Sequence, residues 1–345
     1  MQLIVLDPEE RMMRIAGLKL NNREEKNFTK EKCSLNKDKR SQYKLTGSIH
    51  TLEIKSPEYE PAQDENVSEC ITTRINETGT EAVSKINPNK LNGDVFSFSE
   101  FRETMQEILS ASGVGRYRFT RTDLRLDAYD RRHYRLFSKL NKYLISAIAV
   151  SYSTKNNYRA EDLFTGNQIS IAVKNDYFEV ENYDRNHKNK VTGNTTEQAT
   201  ARLEERTTAR QWRGLYQMEY VSAETNMTLL EWEFTKKWAS RWQKARKNLQ
   251  MVQDAYNDAL VKKYHEGLNK KPVQFRSLTD FLIQNQESIF TSAQMVDLLG
   301  RLGVENPKGR AKYHKKKYGC EYFSLADVDY AIAEIKRATE EYFNS

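Results

Sequence analysis

The sequence predicts an α+β protein: a largely antiparallel sheet with helices on one face, followed by an all-α C-terminal region that holds a helix-turn-helix-like module. Three observations predict it. From Ser97 the pattern reads helix, strand, helix, strand, strand, strand. From about residue 223 it reads as helix to the end. The segments FTRTDLRLD ending at Asp127, YFEVENYD ending at Asp184 and ARLEERT ending at Thr207 carry polar residues at period-two spacing, as strands with one polar face do.

Taken in order, residues 1–94 form a polar N-terminal region, partly disordered, in which 7–45 and 56–94 read as loops and SIHTLEIK (48–55) as a short strand. Residues 95–220 make the α+β domain. Ser97 or Ser99 caps a helix with Phe101, Met105, Ile108 and Leu109 on one face, ended by Gly113 and Gly115. A strand follows at 116–127, then a helix with Leu136, Leu140, Leu144 and Ile148 at helical spacing. Ile169, Ile171 and Val173 alternate before an Asn175-Asp176 turn and YFEVENYD, which together read as a hairpin. The Asn-rich stretch 186–198 is a loop before ARLEERT. Residues 221–270 read as one long basic amphipathic helix, with Leu230, Phe234, Trp238, Leu249, Val252, Tyr256 and Leu260 on its apolar side and Lys236, Lys237, Arg241, Lys244, Arg246 and Lys247 crowding its middle. Residues 271–345 form a helical module, with Thr291 and Ser324 as helix caps.

The 345 residues are 38% hydrophobic and 11% aromatic, enough for a sizeable core, and 55 basic residues outweigh 48 acidic ones. The net charge of +7 favours nucleic acid as a partner but is modest. Three scattered cysteines, Cys33, Cys70 and Cys320, suggest neither a disulfide framework nor a zinc site, and a reducing, cytoplasmic setting fits. The apolar run Leu3–Leu6 is too short for a signal peptide, and no membrane segment is expected.

The chemistry-bearing residues sit on the three strands. Alternation puts Asp123, Arg125 and Asp127 on one face, Glu179, Glu181 and Tyr183 on one face, and Arg202, Glu204 and Arg206 on one face. If these strands are neighbours, acids, arginines and a phenol share one surface. Such a cluster suits a divalent metal, a tyrosine nucleophile and an anionic substrate, with Arg202 and Arg206 able to clamp a phosphate bidentately. The competing reading is that Arg125, Arg202 and Arg206 neutralise the acids in structural ion pairs. His50, in a strand, is a lone ligand or a structural histidine.

The order RTDLRLD, helix, FEVENYD, RLEER resembles the replication initiation factor family, the rolling-circle initiators and relaxases of Gram-positive plasmids, conjugative elements and phages. The likeness covers about residues 97–213. It implies an HUH-like nuclease domain that nicks one DNA strand with a tyrosine and Mg2+ or Mn2+. On that resemblance Tyr183 is the nucleophile that forms a 5′-phosphotyrosine adduct, with Tyr177 as second candidate. Asp123, Asp127 and Glu204 hold the metal or orient the scissile phosphate, and Glu181 or Glu179 adds a ligand or general base. Arg185 stands where the family's motif has lysine, Lys188 stands where it has an acid, and no H-x-H pair occurs.

The C-terminal module has a basic second helix. Seven basic residues, Arg301, Lys308, Arg310, Lys312, Lys315, Lys316 and Lys317, face one acid between 301 and 317, with Tyr313 and Tyr318 interleaved. This is the layout of a DNA-binding helix. The expected partners are origin DNA, the single strand at the nick, a host helicase and a second copy of the chain. The expected function is rolling-circle replication initiation; a conjugative relaxase, or a non-catalytic DNA-binding replication or copy-control protein, are the alternatives.

Overall fold

The computed structural model describes residues 37–93, 97–129, 132–152, 171–184, 201–319 and 321–345. Arg185, His187, Lys188, the Asn-rich stretch 186–198, Ile169, Cys33 and Cys320 lie outside the described residues.

Helix α1 (Lys37–Gln42) leads into β1 (Leu45–Ser56), which is longer than the expected strand at both ends. The next segment, expected as loop, holds α2 (Glu65–Cys70), β2 (Ile71–Ile75), β3 (Ala82–Ile86) and the single turn α3 (Asn89–Asn92). The strands are short and locally weak. What stabilises them is non-local, because β3 pairs with β1 from Leu52↔Ile86 to Ser56↔Ala82, and no local pattern reveals such pairing. Then come α4 (Phe98–Ala111), β4 (Arg116–Ala128), α5 (Tyr134–Ser151), β5 (Ile171–Lys174), β6 (Phe178–Asp184) and β7 (Ala201–Thr207). The Ser97 hydroxyl caps α4 by accepting from the Glu100 amide at 3.2 Å.

The strands form one antiparallel sheet in the order β2-β3-β1-β4-β7-β6-β5, with the two-residue β8 (Val221–Ser222) on the start of β4 after helix α6 (Ala209–Tyr216). Its apolar face carries Leu124, Leu126, Val180 and Leu203, all buried. Helices α5 and α6 contact this side, as in Asn141 donating to Asn182 Oδ1 at 2.9 Å and Trp212 lying 5.2 Å from Phe119.

The expected single helix over 221–270 is instead α7 (Ala223–Trp232), a π-helical turn (Glu233–Trp238), α8 (Ala239–Lys247) and, after Asn248, α9 (Leu249–Asn269). The wider turn lets Glu233, Phe234, Thr235 and Trp238 all face inward. Its cause is polar: buried Glu233 accepts from Arg241 at 3.0 Å and from Thr207 at 3.2 Å. Arg241 therefore leaves the basic face, stacking 4.5 Å over Trp238 and 4.7 Å over Phe178. Arg246 pairs with Asp329, so the exposed positive face is narrower than the sequence suggests.

A second hydrophobic cluster includes Leu260, Phe275, Phe281, Met295, Leu298, Leu299 and Tyr322. It joins the end of α9 to α10 (Leu278–Gln284), α11 (Ser292–Arg301) and α12 (Pro307–Tyr318). Helix α13 (Leu325–Phe343), capped by Ser324 and Asp327, returns to the sheet, where its Ala338 carbonyl oxygen comes within 3.0 Å of where a Cβ on Gly47 of β1 would sit. A side chain there would press on α13, which would have to give by a few tenths of an ångström. No described helix is long and apolar enough to cross a membrane.

Candidate functional site

The three polar strands are neighbours, and their register aligns the expected residues in rows. Asp123 of β4 faces Arg206 of β7, which faces Glu179 of β6. Arg125 faces Glu204, which faces Glu181. Asp127 faces Arg202, which faces Tyr183. Strand β1 extends the surface, with Thr51 opposite Asp123, Ser48 opposite Arg125, and a bulge at His50.

The first and third rows are closed by hydrogen bonds and ion pairs along the row, and Glu204 of the middle row is held by side chains of both. Arg202 donates from Nε and Nη2 to the two oxygens of Asp127, at 2.6 and 2.7 Å, a bidentate pair with both side chains 2% exposed. Arg206 donates to Asp123 at 3.0 Å and approaches Glu179 at 2.7 Å and Glu204 at 3.4 Å. Arg121 also pairs with Asp123, at 2.6 Å, and Arg125 donates to Ser48 Oγ at 2.5 Å.

At the centre the Tyr183 hydroxyl donates to Glu204 Oε1 at 2.6 Å, and Arg202 Nη1 donates to the same phenol oxygen at 3.4 Å. Burial and the Glu204 charge push the Tyr183 pKa up. Burial also opposes ionisation of Glu204, but the Tyr183 hydroxyl, Arg202, His50 and Arg206 outweigh it and hold that carboxyl below its ordinary range. His50 is pushed down to about 4, chiefly by burial, so it is neutral at pH 7; its Nδ1 sits 2.8 Å from Thr51 Oγ1. Its ring feels the charges of Glu204, Arg125, Arg202 and Asp123, so it borders the polar rows.

Asp123 and Asp127 do not fit one shared divalent ion. Asp123 and Asp127 are four residues apart on one strand, about 13 Å at 3.3 Å per residue, too far for two short carboxylates to meet one ion at roughly 2.0–2.6 Å. Their oxygens and those of Glu204 also point at guanidinium groups or the phenol. Among the described residues no group of three or more His, Cys, Asp or Glu side chains is arranged to hold a metal.

In the helical module α12 exposes Lys308, Arg310, Lys312, Lys316 and Lys317, while Ala311 and His314 pack inward. None of the five exposed side chains is ion-paired among the described residues; Arg310 and Lys317 lie over the exposed Tyr313 ring at 5.8 and 5.5 Å. Lys315 is half-buried over Tyr322. Arg301 differs from the expectation. It pairs with Asp254, Asp258 and Asp297 at 3.1, 2.5 and 2.6 Å, which ties α11 to α9 and spends its charge internally.

Sequence reasoning did not find Glu205, on the apolar face of β7, where it accepts from Trp242 Nε1 at 2.5 Å. The only signal for it was two adjacent glutamates in a strand, of which one must face the helices. No protein-family model matches the chain, and no curated protein or solved structure is significantly similar to it.

Proposed function

We propose that this chain is a DNA strand-nicking transesterase, acting at the origin of a mobile replicating element, with Tyr183 as nucleophile. The observation that carries the reading is the 2.6 Å hydrogen bond from Tyr183 to Glu204, with Arg202 on the same phenol oxygen. A nucleophile needs an adjacent base oriented by a third group, and Glu204, kept ionised by its arginine neighbours, meets that need. In the reaction Tyr183 Oη attacks the scissile phosphorus while its proton passes to Glu204. The bond from phosphorus to the 3′ oxygen breaks, and Glu204 returns the proton to the leaving 3′ hydroxyl. The phosphotyrosine retains the bond energy for rejoining. Arg202 and Arg206 supply positive charge beside the attacked phosphate.

The experiment is incubation with supercoiled plasmid carrying the cognate origin. Expected are a nicked circle and a covalent protein–DNA adduct, both lost in Tyr183→Phe, with Glu204→Gln nicking roughly 100- to 10,000-fold more slowly. A wild-type chain that gives neither product sinks the reading. Nicking that survives in Tyr183→Phe moves the nucleophile elsewhere.

A second reading, a DNA-binding protein without catalysis, is supported by the exposed basic face of α12, whose five charges form no ion pair among the described residues. Five side chains placed on phosphates give a slope of log affinity against log salt of about −4.5. Lys312→Ala with Lys316→Ala is expected to reduce that slope by about 2, measured by fluorescence anisotropy on origin duplex. An unchanged slope removes α12 from the DNA interface.

A further inference from the structure

One open groove is not used by the chemistry above. It lies between the β5–β6 turn and the start of α6, has a volume of about 820 Å3, and is lined by Asp176, Tyr177, Thr208, Arg210, Arg213 and Gly214. Tyr177 is 44% exposed, and the Arg210 guanidinium lies 5.0 Å from its centroid. Arg210 also pairs with Asp176, but both side chains are about half exposed, so that pair contributes little and yields readily to a competing anion. Arg213, one turn further along α6, is exposed and is not ion-paired among the described residues. Thr208 spends its hydroxyl on the Asp176 carbonyl and not on capping α6, so the positive end of the helix is left at the groove.

The groove lies at the turn end of β6 and β7, two of the strands that carry the reacting centre. Tyr177 immediately precedes β6 and stands six residues from Tyr183, about 20 Å along an extended chain. Between them Glu179 and Arg206 lead to Glu204. An exposed ring flanked by arginines is how proteins hold unpaired bases, since every base has a face to stack and a phosphate to neutralise.

We propose that this groove binds single-stranded DNA beside the nick, one base stacked on Tyr177 and its phosphate met by Arg213 and Arg210. The proposal rests on the nicking reading for its substrate, but its test does not require nicking. A fluorescent deoxythymidine 12-mer is titrated against the full chain carrying Tyr183→Phe. Adding Tyr177→Ala weakens binding roughly 5- to 100-fold, whereas Tyr177→Phe, which keeps the ring, stays within about twofold. Arg213→Ala lowers the salt slope by about 0.7. Binding by Tyr177→Ala within twofold of its parent, or an equal loss in Tyr177→Phe, overturns the proposal. Should Tyr177→Ala melt early, the Arg213→Ala slope decides, and an unchanged slope overturns it. Failure of wild type to nick, with these affinities as expected, removes the nicking reading and leaves the groove.

Discussion

Arg202→Met is expected to destabilise the fold by about 3–5 kcal/mol, read as a lower urea midpoint at unchanged slope. The reason is what it leaves behind. Asp127 is 1% exposed and gives both oxygens to Arg202; without that guanidinium its nearest described cation is Arg125 at 3.6 Å. A carboxylate stranded out of water costs far more than the pair contributes on balance, because the pair itself had to be desolvated. The double variant Asp127→Asn with Arg202→Met should therefore lose less than the sum of the two single losses, by more than about 1 kcal/mol. Additive losses mean that the two side chains are not coupled. The rows that make the site are thus also structural, and stability must be measured beside activity in every variant of Asp127, Arg202 or Glu204.

The second large effect concerns Glu205 and pH. Its carboxyl is wholly buried and pushed up to about 8, first by desolvation and further by Glu233, against the Trp242 hydrogen bond and Arg241. The folded state therefore holds a proton on Glu205 at pH values where the unfolded chain has released it. The stabilisation is complete below pH 4.5, where both states are protonated. It falls by about 1.4 kcal/mol per pH unit as pH rises toward 8, then levels off. Glu205→Gln keeps an oxygen for Trp242 and carries no charge. Its melting temperature should exceed that of wild type by an amount that grows between pH 5 and 8. A constant difference across that range would mean that Glu205 does not titrate with folding.

Much of this was legible in the residues. The Thr291 and Ser324 caps hold as read from the sequence, and of the two candidates Ser97 and Ser99 it is Ser97 that caps, since capping is decided within four residues. The alternation in FTRTDLRLD, FEVENYD and ARLEERT correctly put the polar residues on shared faces, because side-chain direction in a strand has a period of two whatever it pairs with. Strands β2 and β3 were missed because their partner β1 is remote in sequence. The break at Glu233–Trp238 was missed because its cause is a buried glutamate meeting Arg241 and Thr207, not a proline or glycine.

What the sequence by itself determined is therefore the fold class, the elements with local caps, and which residues could share a surface. Register was decided only in three dimensions. It placed Glu204 under the Tyr183 hydroxyl, locked Asp127 to Arg202, kept Asp123 and Asp127 too far apart to share an ion, and paired Arg301 with three aspartates while leaving five basic side chains of α12 without an ion pair among the described residues. The physical reason is range: period and propensity act over a few residues, whereas a hydrogen bond or ion pair forms between whichever groups the long-range pairing of strands brings within 3 Å.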